Sequence, residues 1–248
     1  MSQNITDFNR HVIRPTECVK EGWELIKDQY WLFLGISFVG MLIGSAFAIV
    51  LMGPMMCGIF LCLFQRQRRQ PVEFGMLFKG FDHFLQSLLV MLIKMIPIVI
   101  LMVPFYLIMV VIMFTSMPRE QTTPEETSRF LFTFFGFELV FISVLMLVGI
   151  LVEIFLMFAF PLVVDRRLPA IEAVKLSIKA GKENFGGVLG LLLLNALFGF
   201  VGVLCCFVGV YFYLPISFAS YAIAYRRVFP EIPHTLPVPP PPPASWAV

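Results

Sequence analysis

Three long apolar blocks set the limits on how this chain folds. They cover residues 30–64, 84–160 and 186–225. A helix needs about 20 residues to cross the hydrocarbon core of a bilayer, so the first and third blocks each hold either one overlong helix or two helices. The composition is that of a membrane protein, because 59% of the residues are hydrophobic and 14% are charged, against about 45–50% and about 25% in soluble domains. We therefore expect an all-α integral membrane protein.

The flanking charge decides between one helix and two. Basic residues stand both before and after the first block and the third block. Lys and Arg concentrate on the cytoplasmic side of membrane proteins, so both ends of each block belong on that side and each block is predicted to be a helical hairpin. In the first block the turn is placed at Gly44-Ser45. The spans are then residues 31–43 and 47–64, the second with a kink at Gly53-Pro54.

The middle block breaks at residues 117–129, where two Pro, three Thr and three Glu indicate a polar outer loop. Spans are predicted near residues 85–105 and 141–163. In the resulting topology 15 of the 18 Lys and Arg residues are cytoplasmic, two lie in the outer loop, and Lys94 lies within a span. The prediction is therefore six transmembrane helices in three hairpins, with both termini cytoplasmic.

Each hairpin follows a lead-in segment with one apolar face at helical spacing. These faces suggest a cytoplasmic-side amphipathic interfacial helix before each hairpin. Their residues are Val19, Trp23, Ile26 and Tyr30; Phe74, Leu77, Phe78, Phe81 and Phe84; and Val174, Ile178, Gly181 and Phe185. The alternative is that basic amphipathic lead-ins look alike in any membrane protein. The predicted organisation is an N-terminal segment 1–14, a membrane domain 15–229 with pseudo-repeats 15–70, 71–167 and 168–229, and a tail 230–248.

Five segments carry a resemblance to a known group. They are residues 21–27, Gly53-Pro54 through Gly58, residues 77–81, Asp165-Arg166-Arg167 with residues 173–177, and Pro215 through Arg226. Together they resemble a broad group of uncharacterised bacterial polytopic membrane proteins, and the chain is similar to the membrane domain attached to some glycerophosphodiester phosphodiesterases. The resemblance covers residues 15–230 and implies a bacterial inner membrane protein with a six-helix fold, without implying an activity.

Several function classes are disfavoured by the residues themselves. The net charge of +2 argues against a nucleic-acid partner. The five Cys and three His have none of the spacings of a zinc site or a disulfide framework. Nucleophile elbows, phosphate-binding glycine loops and HExxH motifs are missing from the sequence. We therefore expect a protein that is not an enzyme and has no cofactor.

Three charged residues fall inside the apolar blocks: Lys94, Glu138 and Glu153. A charge in mid-bilayer costs about 2.5–3.5 kcal/mol on insertion scales, so it calls for a partner. Lys94 and Glu153 lie at matched depth on antiparallel neighbours and are predicted to form an intramembrane polar pair, either as a polar gate or proton pathway or as a structural ion pair. Glu138 is predicted to lie at the outer interface.

Two hypotheses about function remain open. The first is a membrane-organising or assembly protein whose basic lead-in residues, above all Lys175, Lys179 and Lys182, face anionic lipid. The second is a small-solute or ion transporter that uses the region of Lys94 and Glu153. The tail holds eight Pro within residues 230–243, so it is predicted to be either a disordered spacer or an extended arm that docks on a protein partner.

Overall fold

The computed structural model describes residues 7–46, 50–116, 123–204 and 208–231. Within these ranges all regular secondary structure is helical. Two segments are 3₁₀ helices, Lys27–Gln29 and Phe74–His83, and the second is called the 3₁₀ lead-in below. The α-helices in chain order are α1 (Pro15–Ile26), α2 (Tyr30–Ala46), α3 (Met52–Gln67), α4 (Phe84–Ser116), α5 (Pro124–Leu156), α6 (Ala159–Asp165), α7 (Ala170–Glu183), α8 (Phe185–Leu204) and α9 (Val208–Val228).

Five helical stretches are long and apolar enough to cross a membrane, some of them made of joined helices. They are Pro15–Ala46, Phe74–Thr115, Pro124–Asp165, Phe185–Leu204 and Val208–Val228. The protein is therefore an all-α protein with the helices of a multi-pass membrane protein. Helix α3 has 16 residues and falls below this length, but it holds ten buried residues, more than any other helix.

The first apolar block folds into two helices, α2 and α3, which pack against each other. Two local predictions were wrong. Gly44 and Ser45 belong to α2, which continues to Ala46, so the turn comes later in the chain. Pro54 does not kink a longer helix, because it occupies the first turn of α3. A proline is well tolerated there, since the first backbone N–H groups of a helix need no intrahelical acceptor.

The second apolar block is longer and less regular than predicted. Helix α5 begins at Pro124, so the second half of the predicted polar loop is helical, and residues 117–122 lie outside the described residues. A capping box at Thr123 and Glu126 explains this start, because each side chain accepts a hydrogen bond from the other residue's backbone N–H. The predicted span 141–163 is also divided, since α5 ends at Leu156 and α6 begins at Ala159.

The three lead-in segments pack against helices of the protein in a cyclic order. Helix α1 packs on α9, the 3₁₀ lead-in on α3, and α7 on α5 and α6. The second and third lead-ins thus contact the helices directly before them in the chain, and α1 contacts the last helix, α9. Glycines permit these contacts: a Cβ atom on Gly22 would lie 2.8 Å from the Ser220 backbone nitrogen, and one on Gly80 would overlap the Pro54 carbonyl oxygen.

The buried face of the 3₁₀ lead-in differs from the predicted apolar face. Phe74, Phe78 and Phe81 are exposed, whereas Met76 and Leu77 are buried against α3. Leu77 is the one residue that the two faces share. The segment is a 3₁₀ helix with three residues per turn, so the α-helical period of the prediction does not describe it.

Helices α4 and α5 extend furthest from the packed core. Each has 33 residues, which corresponds to about 50 Å of helix against a hydrocarbon core of about 30 Å. We call residues 96–116 and 124–151 the distal arm. Most of its large apolar side chains are exposed, and Phe105 and Phe141, whose rings stack with centroids 3.4 Å apart, are the two buried ones.

Candidate functional site

The last residues of α3, α6 and α9 meet at one carboxylate, Asp165, whose side chain is 7% exposed. Arg226 donates to both of its oxygens, at 2.8 Å from Nη1 and 2.7 Å from Nη2. The Tyr225 hydroxyl donates to Oδ2 at 2.9 Å, and Arg68 Nη2 lies 3.3 Å from Oδ1. Asp165 therefore joins the ends of three helices that are distant in sequence, and we call this part of the molecule the basic end.

A buried carboxylate is tolerated only where its charge is compensated and its oxygens are hydrogen-bonded. Arg226 meets this need with a two-pronged contact, the strongest ion-pair geometry available to a carboxylate. Its Nε donates to Gln67 Oε1 at 3.1 Å, and its guanidinium lies 4.6 Å from the centre of the Phe64 ring. Both partners are thus held from several sides, which fixes the relative positions of α3, α6 and α9.

Further ion pairs bring the first lead-in to the same end. Arg227 of α9 contacts Glu17 at 2.9 Å and Glu21 at 2.7 Å on α1. Arg66, near the end of α3, lies 3.0 Å from Asp28, just before α2. The start of α2 and the end of α3 therefore lie side by side.

A cavity of about 750 Å³ opens next to Asp165. Leu61, Phe64 and Val164 give it an apolar floor. Its charged wall combines residues that follow α3, α6 and α9 with residues of the 3₁₀ lead-in: Arg68, Lys79, Asp82, Arg166, Arg167 and Glu231. A cavity of this size is in the range of small-molecule sites, about 300–1,000 Å³.

Two arginines near the cavity have an uncommon backbone. Arg69 follows α3 with a φ of 57°, and Arg167 follows α6 with a φ of 51°. At the end of α3 the Arg69 N–H donates to the Arg66 carbonyl and the Gln70 N–H to the Gln65 carbonyl, which is the Schellman arrangement that normally selects glycine. Both helices therefore end with an arginine in a left-handed conformation, and of the two only Arg167 lines the cavity.

The structure brings together the predicted intramembrane pair. Lys94 Nζ lies 2.7 Å from Glu153 Oε2, with side-chain exposures of 14% and 39%. The Lys94 ammonium also lies 5.6 Å from the centre of the Phe160 ring. Glu138 is half-buried on the distal arm, and in the described residues it forms no ion pair. Its placement at the outer interface stays a prediction.

The lysines predicted to face lipid lie on one exposed side of α7. Lys175, Lys179 and Lys182 are exposed, and within the part of the chain that is described they form no ion pair. Lys179 Nζ lies 5.8 Å from the ring centre of Phe8. The opposite side of α7 is buried in the protein through Ala170, Ala173, Val174, Leu176, Ser177, Ala180 and Gly181.

Three polar groups that the sequence reasoning missed hold the helices in place. Ser177 satisfies backbone groups at the break between α5 and α6. Its hydroxyl donates to the Phe155 carbonyl and accepts from the Phe158 N–H. Gln86 accepts the N–H of Ala170 at the start of α7, at 2.7 Å. Asn195 of α8 accepts from the Tyr213 hydroxyl at 2.7 Å. For Gln86 and Asn195 the available signal was an uncharged polar residue inside an apolar block, where an unpartnered polar group is costly.

Two further predictions concern a metal site and the proline-rich tail. In residues 7–46, 50–116, 123–204 and 208–231 no group of three or more His, Cys, Asp or Glu side chains is arranged to hold a metal ion. The proline-rich segment from residue 232 onward lies outside the described residues.

Comparisons of the chain with protein-family models, curated proteins and solved structures gave no match. Function is therefore inferred from the fold and the basic end alone.

Proposed function

We propose that this protein is a non-catalytic, six-span protein of the bacterial inner membrane that contacts anionic lipid at its basic end, in a membrane-organising or assembly role. The observation that carries the proposal is the exposed lysine row of α7, Lys175, Lys179 and Lys182, on a helix whose other side is buried. The resemblance to bacterial polytopic membrane proteins agrees with this location and is part of the same proposal.

The six-span arrangement takes α3 as the additional span. The ion pair between Arg66 and Asp28 supports this view, because it joins the end of α3 to the start of α2. A chain segment that starts and ends on the same side of the membrane crosses it twice. The 16 residues of α3 give about 24 Å of helix, which suffices for a span enclosed by other helices. Both termini are then on the basic, cytoplasmic side.

The lysine row suits a lipid surface better than a protein core. A basic residue near an anionic leaflet contributes about 1 kcal/mol, and the effect is screened by salt. Ion-paired arginines are already partly neutralised, whereas Lys175, Lys179 and Lys182 form no ion pair in the described ranges. The buried side of α7 fixes the helix, so the three ammonium groups are held on one outward face.

The test uses the full chain in nanodiscs that contain phosphatidylcholine and phosphatidylglycerol. The variant is Lys175→Gln, Lys179→Gln and Lys182→Gln together. The matched control is Arg10→Gln, Arg14→Gln and Lys27→Gln, which removes the same charge from residues that pair with Glu183, Glu17 and Glu24. Native mass spectrometry counts the phosphatidylglycerol that stays bound.

The lysine variant should bind phosphatidylglycerol at least about fivefold more weakly at low salt, which corresponds to about one basic residue near the leaflet. The control should stay within twofold of the parent protein. Equal losses in the two variants would show a general charge effect and would contradict a lipid-facing role for α7.

Transport is the second candidate, and the Lys94–Glu153 contact is the observation in its favour. Glu153 is 39% exposed although it is ion-paired, so its carboxylate is accessible from outside the helices. A solute or ion flux in proteoliposomes that Glu153→Gln abolishes, with folded protein retained, would favour transport over the organising role.

A further inference from the structure

The cavity at the basic end carries more positive than negative charge. Four Lys and Arg side chains line it against three carboxylates, and Arg226, which is outside the lining, pairs with Asp165. Two carboxylates are already engaged, since Asp165 is held by Arg226 and Glu231 is held by Arg68. The net field in the cavity therefore favours an anion.

Two cations of the wall are available for a ligand. Lys79 on the 3₁₀ lead-in and Arg167 after α6 both line the cavity and are exposed. Neither forms an ion pair in the described part of the chain. They come from different segments, so a ligand that both contact would bridge the 3₁₀ lead-in and the end of α6.

We propose that this cavity binds a phosphate group, with Arg167 and Lys79 as its main ligands. Guanidinium groups match the geometry of phosphate oxygens, and an ammonium group adds a compact charge. The floor of Leu61, Phe64 and Val164 accommodates an apolar part of the same molecule. The phosphate is carried either by the headgroup of an anionic lipid or by a soluble compound.

The backbone of Arg167 makes the proposal testable without loss of the fold. A left-handed conformation costs a non-glycine residue roughly 1–2 kcal/mol, and glycine adopts it freely. Arg167→Gly therefore removes the guanidinium while relieving the backbone. Arg69→Gly is the matched control, because Arg69 has the same conformation and the same place after its helix but does not line the cavity.

The experiment has two arms, both with the full chain in nanodiscs. In the first arm inorganic phosphate is titrated into protein in pure phosphatidylcholine, in a chloride buffer, and binding is followed by calorimetry. In the second arm the nanodiscs contain phosphatidic acid, and native mass spectrometry counts the copies retained by the protein. Binding in the first arm indicates a soluble phosphate compound, and retention in the second arm alone indicates a lipid headgroup.

In whichever arm the parent protein binds, Arg167→Gly should weaken binding at least about tenfold, the loss expected for one charge-assisted hydrogen bond. Lys79→Gln should act in the same direction, and Arg69→Gly should bind like the parent. The melting temperature of Arg167→Gly should equal or exceed that of the parent protein. No binding in either arm, or equal weakening in Arg167→Gly and Arg69→Gly, would overturn the proposal.

This inference goes beyond the proposed function, because the lysine row of α7 lies outside the cavity. The variant with Lys175→Gln, Lys179→Gln and Lys182→Gln should therefore bind phosphate like the parent in the first arm. In the second arm it should lose the phosphatidic acid held by the lysine row and keep the copy that depends on Arg167. The lipid-contact proposal and the cavity proposal fail separately: the first through the lysine variant, the second through Arg167→Gly.

Discussion

At the basic end of the molecule backbone touches backbone, whereas in the distal arm of α4 and α5 most large apolar side chains are exposed. Glycines show the difference best. A Cβ atom on Gly58 would overlap the Leu77 carbonyl oxygen, and one on Gly181 would lie 2.6 Å from the Ile154 carbonyl oxygen. The two glycines of the arm, Gly136 and Gly149, have nothing within 4 Å of such an atom.

The comparison indicates that the two regions are stabilised in different ways. Lipid tails are as apolar as leucine, so helices in a bilayer gain little from burying apolar side chains and depend instead on close packing and polar contacts. The basic end has close packing at its glycines and polar contacts at Asp165. The distal arm has chiefly its length and the stacked pair of Phe105 and Phe141. The fold is therefore held at the basic end.

The largest expected effect is that of Gly58→Ala. The added methyl group would meet the Leu77 carbonyl, and because neither backbone yields cheaply the change should cost about 3 kcal/mol or more. Size-exclusion chromatography in detergent should show loss of monodisperse protein. Gly136→Ala is the control, and it should leave the yield unchanged or raise stability slightly, since alanine favours helices by about 1 kcal/mol. If the two variants behave alike, the glycines of the basic end and of the distal arm would not differ in their effect on stability.

An effect of similar size concerns the charge that joins the helix ends. Asp165→Asn leaves Arg226 nearly buried without its counter-charge, and breaking a buried pair costs about 3–5 kcal/mol. Thermal unfolding in detergent measures the loss. Glu125→Gln breaks the exposed pair with Arg129 in the arm and should change stability by less than about 1 kcal/mol. A stable Asp165→Asn protein would show that the junction is not structural.

A smaller effect is expected where the two regions meet, at Lys94 and Glu153. The pair is partly exposed, so a double-mutant cycle with Lys94→Ala and Glu153→Ala should give a coupling of about 1–2 kcal/mol. The double variant should lose less folded yield than the sum of the losses in the two single variants. Strict additivity would mean that the 2.7 Å contact contributes nothing to stability.

The sequence predicts the helical class and the position of the apolar blocks because hydropathy over about 20 residues is a strong signal. The contact between Lys94 and Glu153 could be anticipated from matched depth on neighbouring helices. The end of α5 at Leu156 could not, because it depends on the hydroxyl of Ser177, which comes from another helix. Local pattern carries no information about such a partner.

The basic end was the least predictable part. Asp165 stands in the sequence as one acid before two arginines, and its role depends on Arg68 and Arg226, which are distant in the chain. The cavity likewise needs the 3₁₀ lead-in next to α3, a contact made possible by Gly58 and Gly80. Single-sequence reasoning locates charges along the chain, but it does not bring three helix ends to one point.

The central claim is that all three lead-ins lie on one side of the membrane and the tip of the distal arm on the other. Single cysteines test it at one exposed site in each lead-in, Lys20, Lys79 and Lys175, and at Glu125 in the arm. A membrane-impermeant maleimide applied to intact cells should label Glu125→Cys above the background of the parent protein. Lys20→Cys, Lys79→Cys and Lys175→Cys should react only after permeabilisation. Labelling of any of the three lysine sites in intact cells would contradict the six-span account.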